Sequence, residues 1–221
     1  MSQVKNISIL VDNDSWILPW AERLLVKAES LKFEASLIRS ADEIEEGFAC
    51  FLLGCTKLVP SRILTRNQFN LVVHESALPE GKGFSPMTWQ ILEGKSEIPV
   101  CLIEAEEAVD AGIIYYQDKI VLDGHELSNE WREIQGAKTL QMCLRFLEQY
   151  GSDQRVDIAD AEHQTGNGSI YRRRSSKDSE LDISLSIEAQ MPLLRVVDND
   201  RYPAFFSFQG HKYQLKIEKI E

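Results

Sequence analysis

Residues 71–86 read LVVHESALPEGKGFSP, and this stretch decides the fold that the sequence predicts. It begins as a β-branched apolar run, ends on His74, and passes at once into a loop punctuated by proline and glycine. Such a pattern predicts a buried strand that delivers an imidazole to the carboxyl edge of a sheet, where ligands bind in open α/β folds. Alternation along the strand places Asn70, Val72 and His74 on one face.

His74 is a candidate acid/base group, because it ends a strand beside glycines that let a ligand approach the backbone closely. The strand and loop alone fit a histidine with purely structural hydrogen bonds equally well, since imidazole suits both roles. A second segment, AVDAGII at residues 108–114, places Asp110 two residues before a glycine at the start of another apolar run. This second segment favours the acid/base interpretation.

Outside these segments, apolar runs alternate with stretches of helical spacing. The predicted strands are residues 7–11, 33–38, 48–53, 98–104 and 113–121, and the predicted helices are residues 16–31, 61–66, 86–93 and 126–150. Strands that alternate with helices are typical of an α/β fold with a Rossmann-like, mostly parallel sheet and helices on both faces. No GxGxxG motif follows the first strand, which argues against a nicotinamide enzyme.

The sequence predicts two domains joined by a linker. A first domain covers residues 1–150, and residues 151–170 have the polar, glycine-containing composition of a linker or mobile loop. A small C-terminal α+β subdomain then covers residues 171–221, with a β-hairpin predicted from residue 205 to residue 217.

The charge balance limits the classes of partner. Among 221 residues there are 24 basic and 35 acidic ones, for a net charge of -11. A negative surface repels phosphate backbones, so no nucleic-acid partner is expected. The basic cluster Arg172–Arg174 is either a solvated segment or a site for one phosphorylated small molecule.

The cysteines and the N-terminus indicate a cytoplasmic location. The four cysteines include no CxxC pair and three lie in apolar runs, which is typical of packing thiols in a reducing compartment and gives no zinc site. No stretch approaches the ~20 apolar residues of a membrane span, and no signal-peptide pattern opens the sequence. No membrane association is therefore expected.

Together, these segments resemble the formyltransferase family that uses a formyl-tetrahydrofolate donor. The family pattern is a strand ending Asn-x-His, then Ser-Leu-Leu-Pro-x-x-Arg-Gly-x-x-Pro, then Asp-x-Gly. This chain has VVH at residues 72–74, SALPEGKGFSP at residues 76–86 and DAG at residues 110–112. Residues 53–60, LGCTKLVP, are similar to the family loop Tyr-Gly-x-x-Leu-Pro without its aromatic residue. The main departure is Val72, which occupies the position of the family's catalytic asparagine.

The C-terminal region extends the resemblance. Residues 172–182, 193–197 and 201–206 are similar to the segments through which family members enter and build their second domain. The tail is short, like that of enzymes that formylate amino sugars on nucleotide carriers, such as the aminoarabinose formyltransferase of lipid A modification. The resemblance therefore implies a nucleotide-linked amino sugar as acceptor, N10-formyltetrahydrofolate as donor and no metal, and it allows a homodimer.

The resemblance also implies roles for individual residues. His74 would donate to the oxyanion of the tetrahedral intermediate and accept a proton from the attacking amine, and Asp110 would orient the imidazole or relay the proton. The residues expected to bind the folate are Leu58, Val59, Pro60, Glu104, Ala105, Val109 and Asp110. Those expected to bind the acceptor are Ser76, Lys82 and Gly83.

Two functions of different class remain open from the sequence. One is an N-formyltransferase of surface-glycan or nonulosonic acid biosynthesis, favoured by His74 and Asp110. The other is a catalytically silent protein of the same fold that binds folate or a sugar nucleotide, favoured by Val72 because a valine side chain donates no hydrogen bond.

Overall fold

The computed structural model describes residues 5–151 and 161–220. Ten strands are present in this part of the chain, six of them in one sheet and the other four in two-stranded pairs. Their bounds are β1 Asn6–Leu10, β2 Glu34–Ile38, β3 Gly47–Leu52, β4 Asn67–His74, β5 Lys82–Gly83, β6 Glu97–Glu104, β7 Ile114–Val121, β8 Ile170–Tyr171, β9 Ala204–Phe208 and β10 His211–Leu215.

Five α-helices accompany the strands in the described residues. Their bounds are α1 Leu18–Ser30, α2 Ser61–Leu64, α3 Pro86–Leu92, α4 Ser128–Tyr150 and α5 Ile187–Val196. Proline lies in the first turn of α1 and α3, where its missing N–H group costs no intrahelical bond.

The central sheet has the order β2-β1-β3-β4-β6-β7. The pairs β1–β2, β1–β3 and β3–β4 are parallel, whereas β6 is antiparallel to both of its neighbours. Five strands therefore run one way and β6 alone runs the other, which confirms the mostly parallel α/β sheet. The direction of β6 was not predictable, because a buried apolar run looks the same in either orientation.

The core lies on both faces of this sheet. On one face, Phe51, Phe69 and Phe146 of α4 are buried in a large cluster with residues of α1 and α3. On the other face, a smaller cluster joins Cys50 to Ile63 of α2. Strand β4 is thus covered on both sides, which fixes the strand that ends on His74.

The C-terminal elements pack partly on themselves and partly on the first domain. The predicted hairpin is present, with β9 and β10 paired from Ala204–Leu215 to Phe208–His211. Helix α5 also contacts the first domain: Trp131 Nε1 donates to the carbonyl of Arg195 over 2.9 Å, and Arg195 forms a buried 3.1 Å ion pair with Glu126. The division into two domains stays a prediction.

Among the helices in residues 5–151 and 161–220, none has the length and apolar composition required to cross a membrane.

Candidate active site

His74 lies at the carboxyl end of β4 and is only 5% exposed. Its Nε2 is 2.9 Å from the carbonyl oxygen of Gly81. Because a carbonyl oxygen only accepts hydrogen bonds, Nε2 carries the proton in this contact. In the neutral imidazole the other nitrogen, Nδ1, is then the acceptor.

Asp110 lies opposite this second nitrogen. It follows β6 in a turn where its φ of 48° is left-handed, a conformation that aspartate tolerates better than most residues. Its Oδ1 is 3.6 Å from His74 Nδ1, and its Oδ2 accepts a 2.8 Å hydrogen bond from the amide of Gly83. The structure therefore brings together the two side chains that the sequence singled out.

One short loop, residues 81–83, contacts both members of this pair. The carbonyl at one end binds His74, and the amide at the other end binds Asp110. Gly83 has a φ of 98°, and a Cβ added there would lie 2.4 Å from the carbonyl oxygen of Tyr171. A glycine is therefore required at Gly83 by both backbone conformation and space.

Two of the three residues predicted to bind the acceptor lie in this loop, and the third lies beneath it. Lys82 and Gly83 form β5, with Lys82 half-buried. Ser76 is 2% exposed, and its hydroxyl has no hydrogen-bond partner within the described part of the chain. A buried hydroxyl of this kind is able to donate and to accept when a ligand group arrives.

The residues predicted to bind the folate fall into two groups. Val59 lies in the smaller apolar cluster, and Val72 and Ala105 pack against that cluster, so the two predicted loops meet at β4. Leu58 and Val109 are 67% and 46% exposed, and Pro60 precedes α2. We call the first group the apolar floor and the second group the apolar rim.

Glu104, also predicted to bind the folate, directs its carboxylate into the protein. It accepts hydrogen bonds from the amide of Asn70 over 2.8 Å and from the hydroxyl of Tyr115 over 2.8 Å. Burial raises the pKa of Glu104, and these hydrogen bonds lower it by a smaller amount. The side-chain amide of Asn70 also donates to Glu104 and to the carbonyl of Leu64. Asn70 therefore does not replace the asparagine that the family pattern has at the position of Val72.

Glu75, which the sequence analysis did not single out, is buried directly after His74. Its Oε1 accepts a 2.7 Å hydrogen bond from Gln135 of α4, and its carbonyl accepts one from Gln90 of α3. Burial raises the pKa of this carboxyl, an effect that Gln135 and His74 partly offset. The end of β4 is thereby tied to two helices.

The basic cluster is mostly engaged within the protein. Arg172 forms an ion pair with Asp178, and Arg174 donates to the carbonyl of Asp178 over 2.9 Å. The guanidinium of Arg173 lies 5.5 Å from the ring centroid of Phe84. Two of the three guanidinium groups thus have intramolecular partners, which leaves Arg173 as the best placed to meet a phosphate.

The sequence analysis missed the contribution of residues 162–172, most of which it assigned to a linker. Gln164 Nε2 donates to the carbonyls of Asp110 and Gly112 over 2.8 and 2.9 Å. Strand β8 pairs with β5 in the loop that holds His74. The local signal is short, an isoleucine and a tyrosine after two glycines, and its partner lies far away in the chain.

Known proteins similar to this chain include members of one enzyme family. The family model described as formyl transferase matches residues 21–137. A methionyl-tRNA formyltransferase of Ehrlichia ruminantium is 25% identical over 164 residues, which cover 72% of this chain and 49% of that protein. The chain spans half or less of the length of the curated relatives it matches first.

Solved structures show the same fold. A methionyl-tRNA formyltransferase from Clostridium thermocellum superposes with a TM-score of 0.79 at 18% identity, covering 99% of this chain and 94% of that one. A sugar N-formyltransferase from a Shewanella species superposes with a TM-score of 0.62 at 14% identity, covering 98% and 99%. Because the family model covers more than half of the chain, the chain belongs to the formyl transferase family.

Proposed function

We propose that this protein is an N-formyltransferase that moves a formyl group from N10-formyltetrahydrofolate to the amine of a nucleotide-linked amino sugar. The observation that carries the proposal is the His74–Asp110 pair, held by the loop at residues 81–83, in a chain of this family. The four free thiols fit a reducing compartment, and we place the reaction in the cytoplasm, in the biosynthesis of a surface glycan or nonulosonic acid.

The donor binds between the loop at residues 58–60 and the loop at residues 104–110. The apolar floor at Val59, Val72 and Ala105 and the exposed side chains of Leu58 and Val109 fit a flat aromatic ring system. Covering exposed apolar side chains contributes about 25 cal/mol for each Å² removed from water, which favours a ring at this rim. The carboxylate of Glu104 already accepts hydrogen bonds from Asn70 and Tyr115, so the loop at residues 104–110 contacts the ring mainly through atoms other than this carboxylate.

The transfer requires little of the protein beyond positioning and proton handling. The amine attacks the formyl carbon, the bond between that carbon and N10 breaks, and one proton passes from the amine to N10. His74 and Asp110 are the groups placed to handle this proton: Nδ1 and Oδ1 are 3.6 Å apart, and they share a proton once they close to hydrogen-bond distance. For Nε2 to donate to the formyl oxygen, its bond to the Gly81 carbonyl must be exchanged for one to substrate.

A small acceptor fits the surface of this protein better than tRNA. The net charge is -11, and Arg172 and Arg174 are already engaged with Asp178. Lys82 lies in the loop that contacts His74, Ser76 lies against Gly81 of that loop, and Arg173 lies near Phe84 just after it. Their hydroxyl and cationic groups suit the hydroxyls and phosphates of a nucleotide-linked sugar. The Shewanella neighbour is a sugar N-formyltransferase, whereas the curated relatives are methionyl-tRNA formyltransferases.

A second function is favoured by one observation. Val72 packs against two apolar clusters, one with Val59 and one with Leu78, where the family pattern has asparagine. A catalytically silent protein that binds folate or a sugar nucleotide would retain the fold and tolerate this valine.

A ligand screen followed by a product measurement tests both functions. Thermal shifts would be recorded with 5-formyltetrahydrofolate as a stable donor analogue and with a panel of nucleotide-linked amino sugars, since a ligand at 100 times its Kd stabilises by about 2.7 kcal/mol. Each sugar that shifts the midpoint would then be incubated with N10-formyltetrahydrofolate and examined by mass spectrometry for a formyl gain. Binding of both ligands without any formyl gain would favour the silent protein, and no folate shift at all would overturn the proposed function.

A further inference from the structure

The segment at residues 162–172, called here the crossing segment, runs along both loops that carry the catalytic pair. It precedes the C-terminal elements in the chain, and its strand β8 pairs with β5 outside the central sheet. Its contacts fall into two sets, one with the loop at residues 81–84 and one with the turn at residues 110–112.

The contacts with the first loop are backbone pairings. The amide of Lys82 donates to the carbonyl of Ser169 over 2.9 Å, and the amide of Phe84 donates to the carbonyl of Tyr171 over 3.1 Å. The hydroxyl of Ser169 accepts a 2.8 Å hydrogen bond from the amide of Gly81. Every residue of this loop that contacts His74 or Asp110 is therefore bonded to, or flanked by bonds to, the crossing segment.

The side chain of Tyr171 secures these pairings. Its ring stacks on Trp89 of α3 with centroids 6.1 Å apart and an interplanar angle of 10°. Its hydroxyl donates to Glu93 over 2.8 Å. A Cβ added to Gly81 would lie 2.9 Å from this ring, so the loop and the ring are in close contact.

The second set of contacts holds Asp110. The amide group of Gln164 donates to the carbonyls of Asp110 and Gly112, and it thereby fixes the turn in which Asp110 has a left-handed φ. One residue pair, Ile114 and Glu162, adds two backbone hydrogen bonds of 2.9 Å at the start of β7. Both loops are thus attached to one segment.

We propose that Tyr171 and Gln164 are positioning residues for the reaction, because they hold the loops whose backbone atoms orient His74 and Asp110. Tyr171 acts through the carbonyl of Gly81 and the amide of Gly83, and Gln164 acts through the turn at Asp110. The reaction part of this statement rests on the proposed function, whereas the effect on His74 does not. Misplacement of a catalytic group by about 1 Å is sufficient to reduce turnover by roughly 10²-fold.

The test uses the intact protein and reads the tautomer of His74 directly. Long-range ¹⁵N–¹H NMR spectra of the imidazoles distinguish a proton on Nε2 from one on Nδ1, and the chain has only four histidines. In the wild type at neutral pH we expect a neutral His74 to keep its proton on Nε2, with slow exchange against water. Tyr171→Ala and Gln164→Ala are expected to speed this exchange or to mix the tautomers, while thermal unfolding shows the fold intact.

Two further variants separate positioning from general destabilisation. Tyr171→Phe keeps the ring on Trp89 and is expected to retain the wild-type signal of His74. Ile170→Ser changes the neighbouring residue of β8, whose side chain is 79% exposed, and is the matched control. Where product forms, Tyr171→Ala is expected to lower kcat by roughly 10²-fold. Tyr171→Phe and Ile170→Ser are expected to keep the wild-type kcat.

Several results would overturn the inference. One is a His74 signal in Tyr171→Ala and Gln164→Ala that matches the wild type, and another is an equal change in Ile170→Ser. An increase in kcat on loosening the segment would show that it blocks the site instead of ordering it. If the His74 signals change as expected but no acceptor is ever formylated, the positioning role stands and the proposed function fails.

Discussion

His74 has both ring nitrogens directed at protein groups, which limits what the imidazole does before substrate binds. Nε2 is bonded to Gly81, and Nδ1 faces Asp110. The charged group that faces Nδ1 is the Asp110 carboxylate, so the sharpest test of the pair removes that charge and keeps the shape of the side chain. Asp110→Asn keeps a side-chain oxygen for the amide of Gly83 and is therefore the cleaner substitution.

We expect Asp110→Asn and His74→Ala each to reduce turnover by about 10²–10⁴-fold, the usual contribution of a positioned acid/base group. The measurement is the rate of formyl transfer, with thermal unfolding as the check on folding. His211→Ala, which changes an exposed histidine of β10, is the control. Equal rates in all four proteins would rule out a catalytic role for the pair.

At position 72, packing favours the apolar Val72 side chain, whereas the chemistry of formyl transfer favours a hydrogen-bond donor. An amide there would add the donor that the family pattern has, with up to ~10²–10³-fold gain where an oxyanion donor limits the rate. Yet the half-buried side chain packs against two apolar clusters, where an amide without partners costs up to about 1–3 kcal/mol, the value for a fully buried group. We expect Val72→Asn to lower the free energy of unfolding by that amount without raising turnover; a large rise in turnover would contradict this expectation.

Glu75 makes stability depend on pH in a direction that the structure specifies. Burial raises its pKa in the folded protein above the unfolded value of about 4.3, so between these values the folded state keeps a proton that the unfolded state has released. The contribution of Glu75 to the free energy of unfolding is therefore fully present below the unfolded pKa. It falls as pH rises towards the folded pKa, by at most about 1.4 kcal/mol per pH unit.

Glu75→Gln removes this titration while keeping an oxygen for the 2.7 Å bond from Gln135. Its added amide protons also meet the Gln135 oxygen, which has no partner among the described residues. We expect the variant to gain free energy of unfolding relative to the wild type from pH 4 to pH 7, as measured by urea denaturation across that range. A difference that is constant with pH would show that Glu75 titrates alike in both states.

At the scale of elements, the local sequence pattern was sufficient to predict most strands but not to predict which strands pair with one another. The helix predicted at residues 86–93 is observed at Pro86–Leu92, and the apolar run at residues 71–74 predicted the end of β4 at His74 but not its start at Asn67, because the polar residues before the run carry no strand signature. Strand β8 has two residues and pairs with β5, so it leaves almost none. The same limit explains the site: His74 and Asp110 were found from motifs, whereas Gln164 and Tyr171 act through backbone groups of other residues.

The β5–β8 pairing requires a glycine at position 83, and substitution of Gly83 tests this requirement. Gly83→Ala adds a Cβ 2.4 Å from the Tyr171 carbonyl at a φ of 98°, whereas Gly94→Ala adds one at a φ of 80° with nothing within 4 Å. Both variants carry the cost of a left-handed alanine, about 1–2 kcal/mol, and only the first also separates the strands. We expect Gly83→Ala to lower the free energy of unfolding more than Gly94→Ala, and to increase amide hydrogen exchange at residues 81–84.

At the scale of the whole molecule, charge and sequence similarity point to different acceptors. The curated relatives that this chain matches first are methionyl-tRNA formyltransferases, but a net charge of -11 opposes a polyanion. Fold alone does not decide between them, because a tRNA enzyme and a sugar enzyme both superpose on it.

The decisive measurement is therefore binding of initiator tRNA as a function of salt. A protein that neutralises several phosphates loses affinity steeply as salt rises, since each contact releases counterions. For this protein we expect no saturable tRNA binding at physiological salt, and weak binding with little salt dependence at lower salt, because Arg172 and Arg174 are already engaged with Asp178. Asp178→Asn removes the carboxylate partner of Arg172 and leaves the backbone carbonyl that binds Arg174, so it is the sensitive control: it should increase the salt dependence if basic groups are what limits tRNA affinity. Tight, steeply salt-dependent binding by the wild type would instead make tRNA the acceptor and exclude the small-molecule proposal.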